Sequence, residues 1–188
     1  MKKYSLLFLI SAALLSCNPK QEDAAKQETA ASADTVNIEA RLKELNIELT
    51  TPKPPTANFV KTVRVGNLVY TSGHGPDRAE GGPMTGRVGD DLTLEQGQEA
   101  ARLTGVALLS SLKAEIGDLS KVKRVVKVLG MVQCTPEFKD QPKVMNAFSD
   151  MMVAVFGEKG KHARSAVGFS ALPGNIAIEI EMIVEVED

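Results

Sequence analysis

The chain has 188 residues, of which 43% are hydrophobic and 24% charged, and its formal net charge is -2. This length accommodates one globular domain with terminal extensions. The slightly acidic balance, the absence of Trp and an aromatic content of only 4% argue against a nucleic-acid partner, because such proteins need a basic surface and aromatic stacking platforms.

Residues 1–17 have the pattern of an export signal. Lys2 and Lys3 give a basic start, and the apolar run 6–15 is too short to span a bilayer as a finished helix. The run closes on the sequence LLSC, which resembles a bacterial lipobox ending at Cys17. The resemblance implies cleavage before Cys17, lipid attachment to it, and anchoring to the periplasmic or outer face of a bacterial membrane. The alternative is an ordinary cleaved signal peptide in which Cys17 has no role.

Three further segments follow this signal. Residues 18–35 are polar and alanine-rich, without a large apolar side chain, so they are predicted to form a flexible tether. Residues 36–55 are a lead-in, in which a weak helical period precedes the proline-rich sequence TTPKPP. Residues 56–188 are predicted to form the folded domain. Cys134 has no disulfide partner once Cys17 carries lipid, and we expect it to be buried in a strand.

The domain begins with two β-rich runs that meet at Gly66 and Asn67, a pair typical of a tight hairpin turn. A loop with six glycines follows over residues 73–91. The predicted strands are 59–65, 68–72, 122–134, 163–170 and 176–186.

Two helices separate these strands. Thr93 and Gln96 have the spacing of a capping box, which begins a helix that ends at Gly117. Asp140 begins a second helix with a proline in its first turn, and Gly157 ends it. The order β-β-α-β-α-β-β predicts an α+β domain with a mixed sheet and both helices on one face.

The last predicted strand has an apolar face and an acidic face. Apolar side chains at even positions from Ile176 to Val186 point to one face, and Glu179, Glu181, Glu185 and Glu187 point to the other. With the helices on the apolar face, the acidic face is either solvated or buried against another subunit.

Two motifs resemble the RidA/YjgF family of reactive-intermediate deaminases. They are the pattern ARS-V-----LP-----IEIE over residues 163–181 and the sequence GNLVYTSG over residues 66–73. The resemblance covers residues 56–186, including the order and spacing of the helices. It implies a chorismate-mutase-like α+β fold that assembles as a homotrimer, with ligand clefts at the subunit interfaces.

The resemblance also implies a reaction, the hydrolysis of 2-imino and 2-enamino acids to 2-keto acids and ammonia without a metal or organic cofactor. Arg164 matches the arginine that binds the substrate carboxylate, for which a planar guanidinium is suited. Glu179 matches the glutamate that positions or deprotonates the attacking water. Gly73, after Ser72, matches the position whose backbone lets the substrate approach closely.

Several neighbouring positions depart from the family pattern. Phe59 stands where active members have a tyrosine, and Ser149 stands where an asparagine is expected, with Asn146 one turn earlier. Ala166 replaces a frequent cysteine, and His74 replaces a frequent glutamine. The retained charged pair favours an imine deaminase, whereas the changed polar positions favour a non-catalytic member that binds a small carboxylate or acts through its protein surface.

Alternatives remain for the individual site residues. Arg164 could form a salt bridge with Glu179 or Glu181 in place of binding a ligand. His74, His162 and Glu179 could in principle make a metal site, but no spacing supports it, and His74 is predicted instead to line the cleft as a hydrogen-bond donor. The partners implied are a small carboxylate-bearing ligand, further copies of the chain, and a membrane through the lipid anchor.

Overall fold

The computed structural model describes residues 37–188. The predicted signal, the tether and Cys17 therefore lie outside the described residues. The strands are β1 (Thr62–Val65), β2 (Leu68–Thr71), β3 (Val122–Gln133), β4 (Ala163–Phe169) and β5 (Ile178–Val186). The α-helices are α1 (Ile38–Glu44), α2 (Leu94–Ile116) and α3 (Gln141–Phe156). No helix within residues 37–188 is both long enough and apolar enough to cross a membrane.

The five strands form one mixed sheet in the order β1-β2-β5-β3-β4. β3 and β4 run parallel, and the other neighbouring pairs are antiparallel. The short connection between β1 and β2 is the predicted hairpin turn, in which Gly66 has a φ of 60°. The predicted α+β class and mixed sheet are confirmed, and the homotrimer stays a prediction.

Helices α2 and α3 pack side by side over one face of the sheet. The predicted alternation of β5 is confirmed, because Ile178, Ile180 and Met182 are buried beneath the helices while Glu179 and Glu181 are only half-buried on the other face. The helices contribute large side chains to the same core. Fully buried examples are Leu108, Leu109, Leu112, Met145, Phe148 and Met152. Cys134 is also buried, as predicted, and accepts a hydrogen bond from the Gln141 side chain at 3.4 Å.

The caps of the two long helices differ in one respect from the prediction. At α2 both capping-box bonds form, from Thr93 N–H to Gln96 Oε1 at 2.8 Å and from Gln96 N–H to Thr93 Oγ1 at 3.2 Å. At α3, Asp140 occupies the cap position but makes no side-chain cap bond. Its carboxylate instead lies 3.1 Å from Lys143 Nζ, because the backbone of Asp140 is not extended as a capping residue requires.

The lead-in packs onto the domain. Asn37 caps α1 by accepting a bond from Ala40 N–H at 3.0 Å. Ile38 and Leu42 from α1, and Ile47 beyond it, are buried in the same hydrophobic cluster as the sheet and the long helices. Residues 38–47 therefore contribute to the core that supports the sheet.

The sheet face opposite the helices is uncovered by any other part of residues 37–188, and we call it the open sheet face. Glu179, Glu181 and Glu185 lie on it near the middle of the sheet. It also exposes large apolar side chains on both flanks. These are Val63, Val65 and Tyr70 on one side and Val167 and Phe169 on the other, each at least 39% exposed.

Candidate functional site

The Glu179 carboxylate lies against the backbone of Gly73. The loop after β2 pairs with the start of β5 through an antiparallel bridge between His74 and Ile180, which brings Gly73 beside Glu179. A Cβ atom on residue 73 would overlap the Glu179 carboxylate, so glycine leaves the space that the side chain occupies. Both residues were predicted to belong to one site, and the structure brings them together.

Glu179 has a raised pKa. Partial burial is the largest cause because it disfavours the charged form, and the negative charge of Glu181 on the same strand adds to the effect. A carboxylate with a raised pKa is a stronger proton acceptor, which suits a group that activates water.

Arg164 lies on β4 and extends its guanidinium over α3. Nη1 donates to Asn146 Oδ1 at 3.1 Å and to Ser149 Oγ at 2.9 Å, and Nη2 donates to the Pro142 carbonyl oxygen at 3.4 Å. Both α3 residues named by the sequence analysis thus contact Arg164. Within residues 37–188 no hydrogen bond uses Arg164 Nε, and the single bond made by Nη2 uses one of its two hydrogens, so Nε and Nη2 each retain an N–H for a bidentate carboxylate.

The alternative of a salt bridge between Arg164 and Glu179 or Glu181 does not hold within one protomer. The ion pairs of residues 37–188 do not include Arg164. Its polar contacts are all with neutral groups of α3, which position the cation without neutralising it.

Ser149 connects Arg164 to His162. His162 Nδ1 lies 2.7 Å from the Gly160 carbonyl oxygen, which can only accept, so Nδ1 carries the proton in the neutral ring. Nε2 is then an acceptor for the Ser149 hydroxyl at 3.0 Å, which leaves the Ser149 oxygen to accept from Arg164. The pKa of His162 is lowered, mainly by burial and further by the Arg164 charge, and the neutral form is favoured.

Arg164 and Glu179 lie on opposite faces of the sheet. Arg164 is the register partner of Val128, which is buried under the helices, so its side chain lies on the helix face. Glu179 alternates with buried neighbours along β5 and points to the open sheet face. β3 lies between their strands, so those strands are roughly 10 Å apart. One protomer alone therefore does not bring the two charged groups to a single ligand.

The other positions predicted to bind substrate have different placements. The Ser72 hydroxyl donates to the Val60 carbonyl oxygen at 2.6 Å, so it fixes the start of β1 beside Gly73. Phe59 immediately precedes this contact and is 52% exposed. The backbone of Phe59 is thus close in the chain to the residue that Ser72 contacts, and its side chain offers no hydroxyl to a ligand.

His74 does not share a face with Glu179, which corrects the expectation that it lines the cleft as a donor. Its ring is only 4% exposed and lies between the sheet and α2. Nδ1 lies 2.8 Å from the Ser72 carbonyl oxygen and Nε2 lies 2.8 Å from Ser111 Oγ. Alternation along the chain puts the side chain of His74 on the helix face because Gly73 faces the open sheet face.

The metal alternative is not supported by this geometry. His74 packs against α2, and His162 contacts α3, so the two rings belong to different parts of the core. Among residues 37–188, no three His, Cys, Asp or Glu side chains are grouped as a metal site requires.

Gln133 supports the site and was not identified by the sequence analysis. Its side chain is buried at the end of β3, where Nε2 donates to Asn175 Oδ1 and Oε1 accepts from the Leu172 N–H, both at 2.6 Å. These bonds hold the turn of the LP motif that leads into β5 and Glu179. The only sequence indication was a polar residue at the end of an apolar strand.

The sequence similarity to known proteins extends over most of the chain. The chain is 41% identical over 152 residues to Protein TCP17 of Trypanosoma cruzi, covering 80% of this chain and 95% of that protein. It is 28% identical over 134 residues to a 2-iminobutanoate/2-iminopropanoate deaminase of Dermatophagoides farinae, covering 71% and 89% of the two chains.

Solved structures give the same picture. The crystal structure of Atu1372 from Agrobacterium tumefaciens, a protein of unknown function, is 43% identical with a TM-score of 0.75, and the match covers 81% of this chain and 96% of that one. A family model described as "YjgF/chorismate_mutase-like, putative endoribonuclease" matches residues 39–186, which include most of the lead-in. The chain therefore belongs to the YjgF/chorismate mutase-like family.

Proposed function

We propose that this protein hydrolyses 2-imino and 2-enamino acids to 2-keto acids and ammonia. The observation that carries the proposal is the geometry of Arg164, whose guanidinium is held by α3 and retains an N–H on both Nε and Nη2 for a carboxylate. Glu179 supplies a second charged group with a raised pKa, caused first by burial. A carboxylate clamp and a base are the two groups that this reaction needs most.

The chemistry assigned to these residues is simple. Arg164 binds the substrate carboxylate through two parallel charge-assisted hydrogen bonds and so fixes the position of the adjacent imine carbon. Glu179 accepts a proton from a water molecule as its oxygen bonds to that carbon. The substrate reacts as the protonated imine, which an enamine becomes when it takes a proton from solvent on carbon, so the addition of water gives a neutral carbinolamine. The proton held by Glu179 then passes to the carbinolamine nitrogen. Ammonia leaves as the carbon–nitrogen bond breaks and the hydroxyl oxygen forms its second bond to carbon, and the hydroxyl proton passes through Glu179 to the released ammonia.

We propose that the complete site forms between two copies of the chain in a homotrimer. The placement of Arg164 and Glu179 on opposite faces of one sheet supports this, because a neighbouring copy is needed to supply the second group. The exposed apolar flanks of the open sheet face, including Val63, Tyr70 and Phe169, support a subunit interface there. The Dermatophagoides farinae deaminase supports the same reaction class.

A second candidate function is binding of a small carboxylate without catalysis. It is favoured by Phe59, which presents no hydroxyl near Gly73, and by the replacement of the helix asparagine by Ser149. Both functions use Arg164, but only the enzymatic one needs Glu179.

The deciding experiment measures ammonia release from freshly generated 2-aminoacrylate by purified wild type, Arg164→Ala and Glu179→Gln proteins. Release above the spontaneous rate, lost in both variants, supports the deaminase. Binding of 2-ketobutyrate by the wild type and by Glu179→Gln, without any acceleration of hydrolysis, supports the binding protein. Glu115→Gln is the matched control, because Glu115 is an exposed carboxylate on α2 outside the site.

We also propose that the chain is exported and held at a membrane by lipid on Cys17. The basic start, the apolar run 6–15 and the LLSC sequence support this placement. Expression of the full-length chain in a bacterium with a clickable fatty acid tests it. Label in the wild type that is absent from Cys17→Ser supports the anchor, and equal label in both, or none in either, contradicts it.

A further inference from the structure

A ligand-sized cavity lies on the helix side of the domain, between α2 and the lead-in. Residues 46–53 cross the outer surface of α2 and, together with Lys61 and the loop 77–79, enclose about 350 Å³. This volume is near the lower end of the range of small-molecule sites, roughly 300–1,000 Å³. We call this cavity the cationic groove.

Four basic side chains converge on the groove from separate parts of the chain. Arg102 comes from α2, Lys61 precedes β1, Arg78 follows β2, and Lys53 comes from the lead-in. Within residues 37–188, Lys53, Lys61 and Arg78 make no ion pair, while Arg102 pairs with Glu99 of its own helix.

The acidic side chains of the groove do not balance these cations. Glu48 and Asp77 are the acidic residues in its lining and Glu99 pairs with Arg102, so the four basic residues exceed these three carboxylates by one positive charge. An excess of one sign of charge along a concave, low-dielectric surface concentrates the field and attracts a counter-ion. The pKa of buried His74 is lowered first by burial; the hydrogen bond with Ser72 and the charge of Asp77 raise it, and the charge of Lys61 lowers it.

The walls of the groove are anchored before any ligand enters. The Thr50 N–H donates to Ser110 Oγ at 3.1 Å, and the Ser110 hydroxyl donates to the Val106 carbonyl oxygen at 2.8 Å. Ile47 is buried in the main core, which holds the lead-in against α2. An occupant therefore does not have to order this segment as it binds.

The floor of the groove is apolar. Leu103, Val106 and Ala107 are half-buried on the outer side of α2, and Ile47 and Pro52 face them from the lead-in. The hydroxyls of Ser110 and Ser111 are already used within the protein, so the charged donors that the lining offers to a ligand are its basic side chains. The groove thus combines an apolar floor with a cationic rim.

We propose that the cationic groove binds a small organic anion in which a carboxylate or phosphate head group is joined to a short apolar chain. The head group contacts Lys61, Arg78 and Arg102, and the chain lies over the α2 floor. This site is separate from the one proposed for imine hydrolysis, because it is built on α2 and the lead-in and its lining includes neither Arg164 nor Glu179.

Calorimetric titration of the purified full-length chain with hexanoate and with hexyl phosphate tests the proposal. Hexan-1-ol tests binding of the apolar part of the ligand without an anionic head group, and inorganic phosphate tests binding of the head group without the apolar part. The variants are Lys61→Gln, Arg102→Gln and their combination. Lys139→Gln removes an equivalent charge outside the groove, and Arg164→Ala removes the other carboxylate site. Circular dichroism checks the fold of each protein.

We expect saturable binding of at least one of the two anions, weaker at high salt, with hexanol and inorganic phosphate bound less tightly. The double variant should lower the affinity about tenfold or more, as expected for lost charge-assisted hydrogen bonds. Lys139→Gln and Arg164→Ala should retain the wild-type affinity for the anions. Binding lost only in Arg164→Ala, hexanol bound as tightly as the anions, or no saturable binding by folded wild type would each overturn the proposal.

Discussion

The Ser149 hydroxyl donates to His162 Nε2 at 3.0 Å, and the same oxygen accepts from Arg164. His162 is in turn fixed by its Nδ1 contact with the Gly160 carbonyl oxygen. Arg164 is therefore positioned by a series of bonds in which each member sets the orientation of the next. His162 acts on the proposed carboxylate site as a positioning residue, without touching the ligand.

This arrangement predicts that Ser149→Ala and His162→Ala each weaken binding of 2-ketobutyrate. The expected loss is about two- to tenfold, the effect of one net hydrogen bond. Because the bonds are in series, the double variant should lose little more than Ser149→Ala alone. Calorimetry measures the affinities, and Asp150→Ala is the control from the exposed side of α3. Fully additive losses would contradict the coupling.

The overlap between residue 73 and Glu179 predicts a coupled effect on stability. Gly73→Ala should lower the free energy of unfolding by about 1–3 kcal/mol, because the added methyl group displaces a packed side chain. In a Glu179→Ala background the same change should cost less, since the overlapping carboxylate is gone.

Urea denaturation of the single and double variants measures this difference. Gly75→Ala is the matched control, because its Cβ atom would approach Ile176 Cδ1 at 3.1 Å and not Glu179. The loss of unfolding free energy caused by Gly75→Ala should be the same with and without the Glu179 side chain. An equal cost of Gly73→Ala in both backgrounds would show that the overlap has no energetic effect.

The raised pKa of Glu179 predicts how stability depends on pH. The folded state holds this proton more tightly than the unfolded state, so the ionised side chain opposes folding once the pH exceeds the folded pKa. At pH values below 4.5, the ordinary pKa of a glutamate, the side chain is protonated and carries no such penalty. Glu179→Gln should therefore raise the melting temperature at pH 7 and have little effect at pH 4.

Thermal unfolding at both pH values measures this change, with Glu115→Gln as the exposed carboxylate control. The same titration predicts that imine hydrolysis declines as acidification protonates Glu179, since a protonated carboxyl does not accept the proton from water. A Glu179→Gln protein that is less stable at pH 7 than the wild type would refute the assigned burial penalty.

The packing of α1 predicts that the lead-in is part of the folding unit. Leu42 is only 4% exposed, and Leu42→Ala should cost about 2–5 kcal/mol of unfolding free energy. Lys43→Ala, one residue further on an exposed position, should have almost no effect. Urea denaturation compares the two. Identical stability of both variants would mean that residues 38–44 fold independently of the domain.

If the open sheet face is a subunit interface, a charged side chain introduced there should disrupt the assembly. Val167→Asp should shift the protein toward monomers, because an unpaired carboxylate in an apolar interface pays its desolvation cost without compensation. Light scattering coupled to size-exclusion chromatography measures the mass. Val153→Asp, at a similarly exposed apolar position on α3, should leave the assembly unchanged. A wild type that is already monomeric would refute the proposed interface.

Short-range chemistry in the sequence determines much of this fold. The Thr93–Gln96 capping box, the Gly66 turn and the alternation of β5 each depend on neighbouring residues, so each could be predicted and is confirmed. Asp140 shows the limit. Its residue type favours a cap, but its backbone conformation and the nearby Lys143 direct the carboxylate elsewhere.

The placement of site residues depends on strand order, which the sequence does not contain. Arg164 and Glu179 were predicted from a single motif in which they are fifteen positions apart, yet β3 lies between their strands and the side chains face opposite ways. His74 was assigned to the cleft because it follows Gly73, although alternation turns it toward α2. Gln133 was missed because its partners, Leu172 and Asn175, meet it only in the folded chain.

The separation of Arg164 from Glu179 across the sheet has a genetic consequence. When a site takes its arginine from one copy and its glutamate from the next, an allele that lacks Arg164 and an allele that lacks Glu179 damage opposite halves of each site. Co-expressed in one cell, the two inactive proteins would mix, and roughly a quarter of the interfaces would pair an intact arginine with an intact glutamate. Two null alleles would then complement each other, whereas two alleles of the same residue would not.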